Sequence, residues 1–411
     1  MNFKGKKILV VGLGISGQAA VRFLRDRGAI VTDTDQRRDG DPDLKIFREK
    51  DLIVISPGVP LSLPGLKEAR RLRIPVLGEF GLAAQLLKVP IIAVTGTNGK
   101  STTVTLITQM LEAGGKRVAL AGNIGKPLVE VVMENKPLDW VVTEVSSYQL
   151  ETVEKFHPKI SVLLNITEDH LDRYDSFRQY AQAKFRIFKE QGPRDFLIYN
   201  EEDGVIRRAV RGVRAKKIGF SQKGFSKREY SLENVKLVGL HNRENMMASI
   251  LVARTAGISR QNIQRVLDRF EGLPHRTQFV RNRAGVRYYD DSKGTNVDAV
   301  VKSLSDFPDK SVILIAGGRD KGGSYRPLRK MVKKKVKRAI LIGEARQNIG
   351  KALSGVTQVD IMDGLEDAVP RAARLSKPGD VVLLSPACSS FDQFKDYKER
   401  GDLFCGLVKR L

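Results

Sequence analysis

The chain has 411 residues, 41% of them hydrophobic and 29% charged, an ordinary soluble composition with length for two or three domains and separate cores. No run approaches the ~20 apolar residues that cross a bilayer, and two cysteines, Cys388 and Cys405, are too few for a disulfide framework or a zinc cluster, which fits a reducing cytoplasm. Lys and Arg number 71 against 47 Asp and Glu, and the net +24 points to acidic ligands, nucleic acid or anionic lipid without choosing among them.

Strands followed by helices recur along the whole chain, the pattern of an α/β protein with mostly parallel sheets. Three such blocks are expected, at residues 1–88, 89–273 and 274–411. In the first, the apolar run from Ile8 follows Lys4, Lys6 and Lys7. It is short, broken by glycines and without a small-residue cleavage site, so it reads as the strand Lys7–Val11 and not as a signal peptide. The turn Gly12-Leu13-Gly14-Ile15-Ser16-Gly17 then opens a helix, and Asp33 and Asp35 follow the next strand, as in a dinucleotide fingerprint. A block of this size is short for the two halves that hold a whole dinucleotide, so a half-site for one nucleotide diphosphate is expected. Its candidate contacts are Gly14, Ile15, Ser16, Asp33 and Thr34, with Ser56-Pro57-Gly58 after the strand Leu52–Ile55. A tight turn needed only for packing is the alternative at both loops.

The second block opens on the most informative segment. The apolar strand from Ile91 runs into Thr95-Gly96-Thr97-Asn98-Gly99-Lys100-Ser101-Thr102 and an amphipathic helix, the arrangement that cradles a nucleotide triphosphate. Two glycines let backbone N–H groups close around phosphates, Lys100 brings a cation to the β/γ oxygens, Ser101 offers a hydroxyl to Mg²⁺, and the helix N-terminus adds partial positive charge. The longer consensus has glycine where this chain has Val94, so the form present is G-x-x-G-K-[ST]. Further on, the strand Trp140–Glu144 ends in a carboxylate, a hard-oxygen ligand suited to Mg²⁺. The strand Ser161–Leu164 ends in a second polar cluster, Asn165 to Arg173, where His170 is a metal ligand, a general base or a satisfied histidine. A helix is expected around Tyr180–Phe188. Gly272 and Pro274 mark a joint.

In the third block, strands are expected near Ser311–Ala316, Ala339–Ile342 and Val381–Ser385. The basic run Arg329–Arg338 carries Met331, Val332 and Val336 at helical spacing and reads as a solvated helix face. Both cysteines read as packing residues.

Taken together, these motifs resemble the Mur ligases, ATP-dependent amide-forming enzymes of bacterial wall synthesis, over essentially the full length. The resemblance rests on Gly96–Thr102, Glu144, Asp169-His170, Gly239 to Asn245 and His275-Arg276. The segments Asp290 to Asn296, Gly317 to Lys321 and Ser385 to Phe394 are similar to the D-glutamate-adding branch. It implies a Rossmann-like N-terminal domain for the UDP-sugar, a central P-loop ATPase-type domain, and a Rossmann-like C-terminal domain for the amino acid and ATP closure. The implied reaction joins D-glutamate to UDP-N-acetylmuramoyl-L-alanine through an acyl phosphate and a tetrahedral intermediate; the alternative is a Mur-type ligase adding another amino acid.

By the same resemblance, Lys100 and Arg276 neutralise ATP phosphates. Ser101 and Glu144 serve one Mg²⁺, and His170 and a carbamylated Lys184 serve a second. Asn242 and Asn245 sit near adenine and ribose, Asp291 contacts ribose, and Lys293 the phosphates. Asn123, Ser146 and Gln149 position the muramoyl substrate, while Thr295, Lys321, Ser390 and Tyr397 bind D-glutamate. The family commonly has a basic residue near the uracil end of the first nucleotide loop, where this chain has Asp35, with Arg37 close by. A cytoplasmic monomer with no nucleic-acid partner is expected. The first glycine turn alone also fits a nicotinamide-dependent oxidoreductase, and the net charge alone a nucleic-acid-binding ATPase. With no aromatic-rich RNA motif or recognition-helix signature, the latter ranks last.

Overall fold

The computed structural model describes residues 1–221, 229–231, 235 and 239–411. Its strands build three sheets that follow one another along the chain. The first comprises β1 (Lys7–Val11), β2 (Ile30–Thr34), β3 (Leu52–Ile55) and β4 (Val76–Gly78), in the order β2-β1-β3-β4. The second comprises β5 (Ile91–Thr95), β6 (Val118–Gly122), β7 (Trp140–Glu144), β8 (Ile160–Leu163), β9 (Phe196–Asn200) and β10 (Lys216–Phe220), in the order β10-β9-β8-β5-β7-β6. Every named pairing in these two sheets is parallel.

The third sheet comprises β11 (Gln278–Arg283), β12 (Val286–Asp290), β13 (Val312–Gly317), β14 (Val336–Ile342), β15 (Gln358–Ile361) and β16 (Val381–Leu384), ordered β11-β12-β16-β13-β14-β15. Among the described strands of this sheet, only β11 and β12 pair antiparallel. Central strands such as β5, β13 and β16 are buried along their whole length, because helices cover both faces of a parallel sheet and leave no polar side to alternate with.

The chain divides into two compact units. One holds the first two sheets, as Met1–Ile166, Arg178–Asn234 and Glu244–Asp268; the other holds the third sheet with Thr167–Phe177 and Val235–Arg243. Inside the first unit, the Glu79 carboxylate is 1% exposed and accepts from Val129 N at 2.7 Å, fastening the end of the first sheet to the helix Leu128–Glu134. Burial raises its pKa to about 7.

The basic run departs from the expected helix. The helix spans Leu328–Lys335, and Val336, Lys337 and Arg338 already belong to β14. Val336 is fully buried beside Val312 of β13, so strand pairing overrides the helical spacing. The charges of the run are partly neutralised: Lys335 pairs with Asp309 at 2.9 Å, Arg338 with Asp360 at 2.7 Å, and Lys337 with Asp380. Cys388 is buried and Cys405 half-buried, both free thiols. Among the described residues no helix is long and apolar enough to cross a membrane.

Candidate active site

In the second sheet β5 lies between β7 and β8, so the loops leaving all three strands share one carboxyl edge at the point where strand order reverses. The loop after β5 is the glycine turn. Gly99 has φ 90°, and a Cβ there would stand 2.2 Å from Asn245 Oδ1, so this position requires glycine on two counts. Asn98 N donates to Asn165 Oδ1 at 2.8 Å and Asn165 Nδ2 returns a bond to Asn98 O at 3.0 Å, tying the turn to the loop after β8. The Thr97 and Tyr180 hydroxyls are 3.0 Å apart.

Lys100 begins the helix Lys100–Ala113, and its Nζ donates to Gly96 O and Thr97 O, each at 2.9 Å. Ser101 Oγ donates to Glu144 Oε2 at 2.7 Å, and Asn123 Nδ2 donates to the other oxygen of that carboxylate at 2.6 Å. Hydroxyl and carboxylate oxygens at the foot of a phosphate loop suit Mg²⁺, which takes one or two carboxylates and completes its shell with phosphate and water. Among the described residues no group of three His, Cys, Asp or Glu is placed to cage a metal without such help. Lys184, on the helix Phe177–Phe185, is 2% exposed; its Nζ donates to Gly96 O at 2.9 Å and lies 4.8 Å from the Tyr180 ring centroid. Ser146 and Gln149 form a capping box at the start of the helix Ser147–Glu151.

At the edge of the first sheet, Ser56 Oγ donates to Gly12 O at 2.7 Å, joining the two loops expected to contact one ligand. Gly14 caps the helix Ile15–Asp26, and Ile15 is 80% exposed at its first turn. Asp33 is engaged by Arg25 at 2.8 Å and Arg38 at 3.0 Å, and Thr34 by Asp39 at 3.1 Å. Asp35 braces the glycine turn from within the protein, accepting from Leu13 N at 2.5 Å and Arg37 N at 3.0 Å, and these backbone bonds hold its pKa below the usual carboxylate range.

The second unit gathers a different set. Asp169, named in the sequence as part of the Asp169-His170 motif but given no role of its own, is the centre of a cluster: Lys321 Nζ donates to it at 3.0 Å and Asn296 Nδ2 at 3.2 Å, while His170 Nε2 is 3.6 Å away. His170 holds φ 57°, in the left-handed region. These residues, with Thr167, Asp298 and Tyr325, line a cavity of about 300 Å³. The partners are far apart in sequence and no local periodicity reveals them. The repeated polar identity of the 165–173 segment was the available signal.

The loop after β12 holds Asp291, 1% exposed, which accepts from Ser385 Oγ at 2.7 Å and Thr277 N at 3.2 Å. Burial raises its pKa to about 6, opposed by the Arg276 charge and these hydrogen bonds. Burial, reinforced by Arg276, lowers the pKa of His241 to about 4, so this imidazole is neutral near pH 7. Among the described residues, Arg276 Nε is a buried donor without a hydrogen-bond partner, which suits an anionic ligand. Lys293 Nζ donates to Tyr397 OH at 3.1 Å and lies 4.8 Å from that ring's centroid. Thr295 leads into Asn296, the N-cap of the helix Val297–Ser305, and Ser390 is 2% exposed after β16. Asn242 and Asn245 are both buried at the start of the helix Leu240–Thr255.

Comparison with known proteins gives three family matches. They are Mur ligase MurD-like, N-terminal domain over residues 6–78; Mur ligase middle domain over 94–253; and Mur ligase, glutamate ligase domain over 275–388. The UDP-N-acetylmuramoylalanine-D-glutamate ligase of Geotalea daltonii is 45% identical over 448 aligned residues, covering 100% of this chain and 99% of that protein. The ligase of the same name from Desulfatibacillum aliphaticivorans is 44% identical, with 100% of both chains covered. Among solved structures, a pseudomurein peptide ligase type C from Methanothermus fervidus is similar at a TM-score of 0.63 and 19% identity, covering 99% of this chain and 100% of that one. MurF ligase from Thermotoga maritima in complex with ADP is similar at 0.62 and 16% identity, covering 99% and 96%. At such identities the likeness to solved structures establishes the fold.

Proposed function

The chain belongs to the Mur ligase family, and from that premise we propose that it joins D-glutamate to UDP-N-acetylmuramoyl-L-alanine in peptidoglycan precursor synthesis, cleaving ATP to ADP and phosphate. The observation that carries the ATP half is the Ser101–Glu144 contact of 2.7 Å directly beneath the glycine turn. The amino acid is supported by the D-glutamate ligases to which the chain is similar over its whole length.

A carboxylate acylates poorly, so the muramoyl-alanine carboxylate oxygen first attacks the γ-phosphorus, giving an acyl phosphate and ADP. The amine of D-glutamate then attacks the acyl carbon. A tetrahedral oxyanion forms, and its collapse expels phosphate and leaves the amide. We assign Gly96, Thr97, Asn98, Gly99 and Thr102 to the phosphate cradle, with Lys100 and Arg276 as its cations. When bound, Mg²⁺ neutralises phosphate charge; Ser101 and Glu144 serve one ion, and His170 and carbamylated Lys184 keep the metal roles the family implies. Asn242, Asn245, Asp291 and Lys293 are assigned to the nucleotide.

The turn Gly14–Ser16, with Asp33, Thr34 and Ser56–Gly58, is assigned to the UDP end of the substrate, and Asn123, Ser146 and Gln149 to its muramoyl-peptide end. Thr295, Lys321, Ser390 and Tyr397 take D-glutamate. An ammonium has three donors, so the bond to Asp169 leaves Lys321 free to hold a substrate carboxylate as well. The domains we propose are 1–88 for the UDP-sugar, 89–273 for ATP, and 274–411 for the amino acid and ATP closure.

The test is to trap the activated carbonyl. Protein mixed with ATP and UDP-N-acetylmuramoyl-L-alanine, without D-glutamate, and quenched with borohydride should yield the alcohol of the alanyl carboxylate. An enzyme that turns over normally once D-glutamate is added, yet never gives that alcohol, contradicts the acyl-phosphate route.

A further inference from the structure

Arg400, in the C-terminal helix Tyr397–Arg410, is among the largest fully buried side chains of the molecule and is 1% exposed. Among the described residues, each of its hydrogen bonds goes to a neutral acceptor. Nε donates to Ser292 Oγ at 3.0 Å and Nη2 to Ser292 O at 2.9 Å; Nη2 also reaches Cys388 O at 3.2 Å, and Nη1 reaches Ser389 O at 3.3 Å. Burial lowers its pKa to about 10, which leaves it cationic near neutrality.

Asp290, Asp291 and Asp392 lie near enough to favour the charge, but none hydrogen-bonds to the guanidinium among the described residues, and burial outweighs them; a hydrocarbon of similar volume would fill the space without that penalty. What a hydrocarbon lacks is a planar fork of five donors that holds carbonyls from separate segments in one geometry. Those segments are the loops that carry the candidate substrate groups. Ser292 stands between Asp291 and Lys293 after β12, and its hydroxyl also donates to Tyr397 O at 2.7 Å. Cys388 and Ser389 immediately precede Ser390 after β16. Ser389 O accepts a further bond from Arg319 N at 2.9 Å, which ties in the loop after β13 that leads to Lys321. One guanidinium therefore anchors two loops directly and a third through a shared acceptor.

We infer that Arg400 is a positioning residue for the ligase reaction, fixing the loops after β12, β13 and β16 so that Lys293, Lys321 and Ser390 hold their places toward ATP and D-glutamate. It touches no substrate itself. The inference rests on the ligase reading given above.

Steady-state kinetics of the full-length Arg400→Lys and Ser292→Ala proteins, varied separately in D-glutamate, ATP and the muramoyl substrate, test it. Lysine keeps the charge and loses the fork, so Arg400→Lys should raise KM for D-glutamate about tenfold or more, as loss of supporting hydrogen bonds does at other sites. KM for the muramoyl substrate should stay within about twofold, because its candidate groups are held by other loops. Ser292→Ala keeps the carbonyl acceptor and loses the hydroxyl, so it should shift the same constant in the same direction by less. If Arg400→Lys does not fold, Ser292→Ala decides alone. A fall in active enzyme with every KM unchanged means that Arg400 only maintains the fold, and it overturns the inference while sparing the ligase reading. A parent protein that turns over no D-glutamate defeats the ligase reading and this inference together.

Discussion

Lys184 shows how burial sharpens a residue's role. Its amine is almost wholly removed from water beside the glycine turn, against Gly96 O and the Tyr180 ring. Carbamylation by CO₂, which we propose for this residue, would convert that amine into an anionic oxygen donor suited to a metal. We predict that Lys184→Ala lowers kcat by about 100-fold, that Lys184→Glu keeps part of the activity, and that bicarbonate or a short carboxylic acid partly restores the alanine variant. Full activity of Lys184→Ala in CO₂-depleted buffer would exclude the carbamate.

His275 makes a second prediction. Its hydrogen bond to Asp290, at 2.7 Å, raises the imidazole pKa above the ordinary 6.5, with burial opposing. A raised folded-state pKa means that the folded protein binds the proton more tightly than the unfolded chain. The stability from this pair is therefore fully present below pH 6.5 and is lost as pH climbs through the raised value. His275→Gln should melt well below the parent at pH 6 and approach it as pH rises past the folded-state pKa. A gap that stays constant or widens with pH refutes the linkage. Lys100 and Ser101 stand out in the sequence because the glycine turn beside them marks the place, and Glu144 because it ends an apolar strand; the structure brings Ser101 and Glu144 to 2.7 Å. Asp169 reads only as part of the Asp169-His170 motif, and its contacts are not legible, since its partners Asn296 and Lys321 lie 127 and 152 residues away.

At the scale of elements, helix propensity and packing disagree at Gly401, inside the helix Tyr397–Arg410. Propensity alone favours Gly→Ala by about 1 kcal/mol. A Cβ at that position, however, would lie 2.2 Å from His275 Nδ1 and 2.8 Å from Asp290 Oδ2. We predict that packing wins and that Gly401→Ala destabilises the protein by about 1–3 kcal/mol in urea unfolding; a stabilised variant would show that the helix yields at no cost. The strands feeding the loops were legible because continuous apolar runs such as β5, β7 and β13 stop at glycine or charge. Less legible was β11–β12, whose buried and exposed positions come from an antiparallel pairing among arginines. The basic run misled for a related reason: Val336 fits a helical stripe in sequence, yet β13 claims it for a strand.

At the scale of the whole molecule, the order of the three sheets along the chain matches the three blocks read from sequence, because each block carries its own strand–helix alternation. The compact units do not follow that linear order. Thr167–Phe177 and Val235–Arg243 belong with the third sheet although the second sheet's strands flank the first of them, an assignment that depends on tertiary packing alone. Specificity for D-glutamate is measured most directly by phosphate release. With ATP and UDP-N-acetylmuramoyl-L-alanine present, D-glutamate should support turnover, whereas L-glutamate, L-lysine and meso-diaminopimelate should not. Equal turnover with meso-diaminopimelate would contradict the D-glutamate assignment and leave only the family.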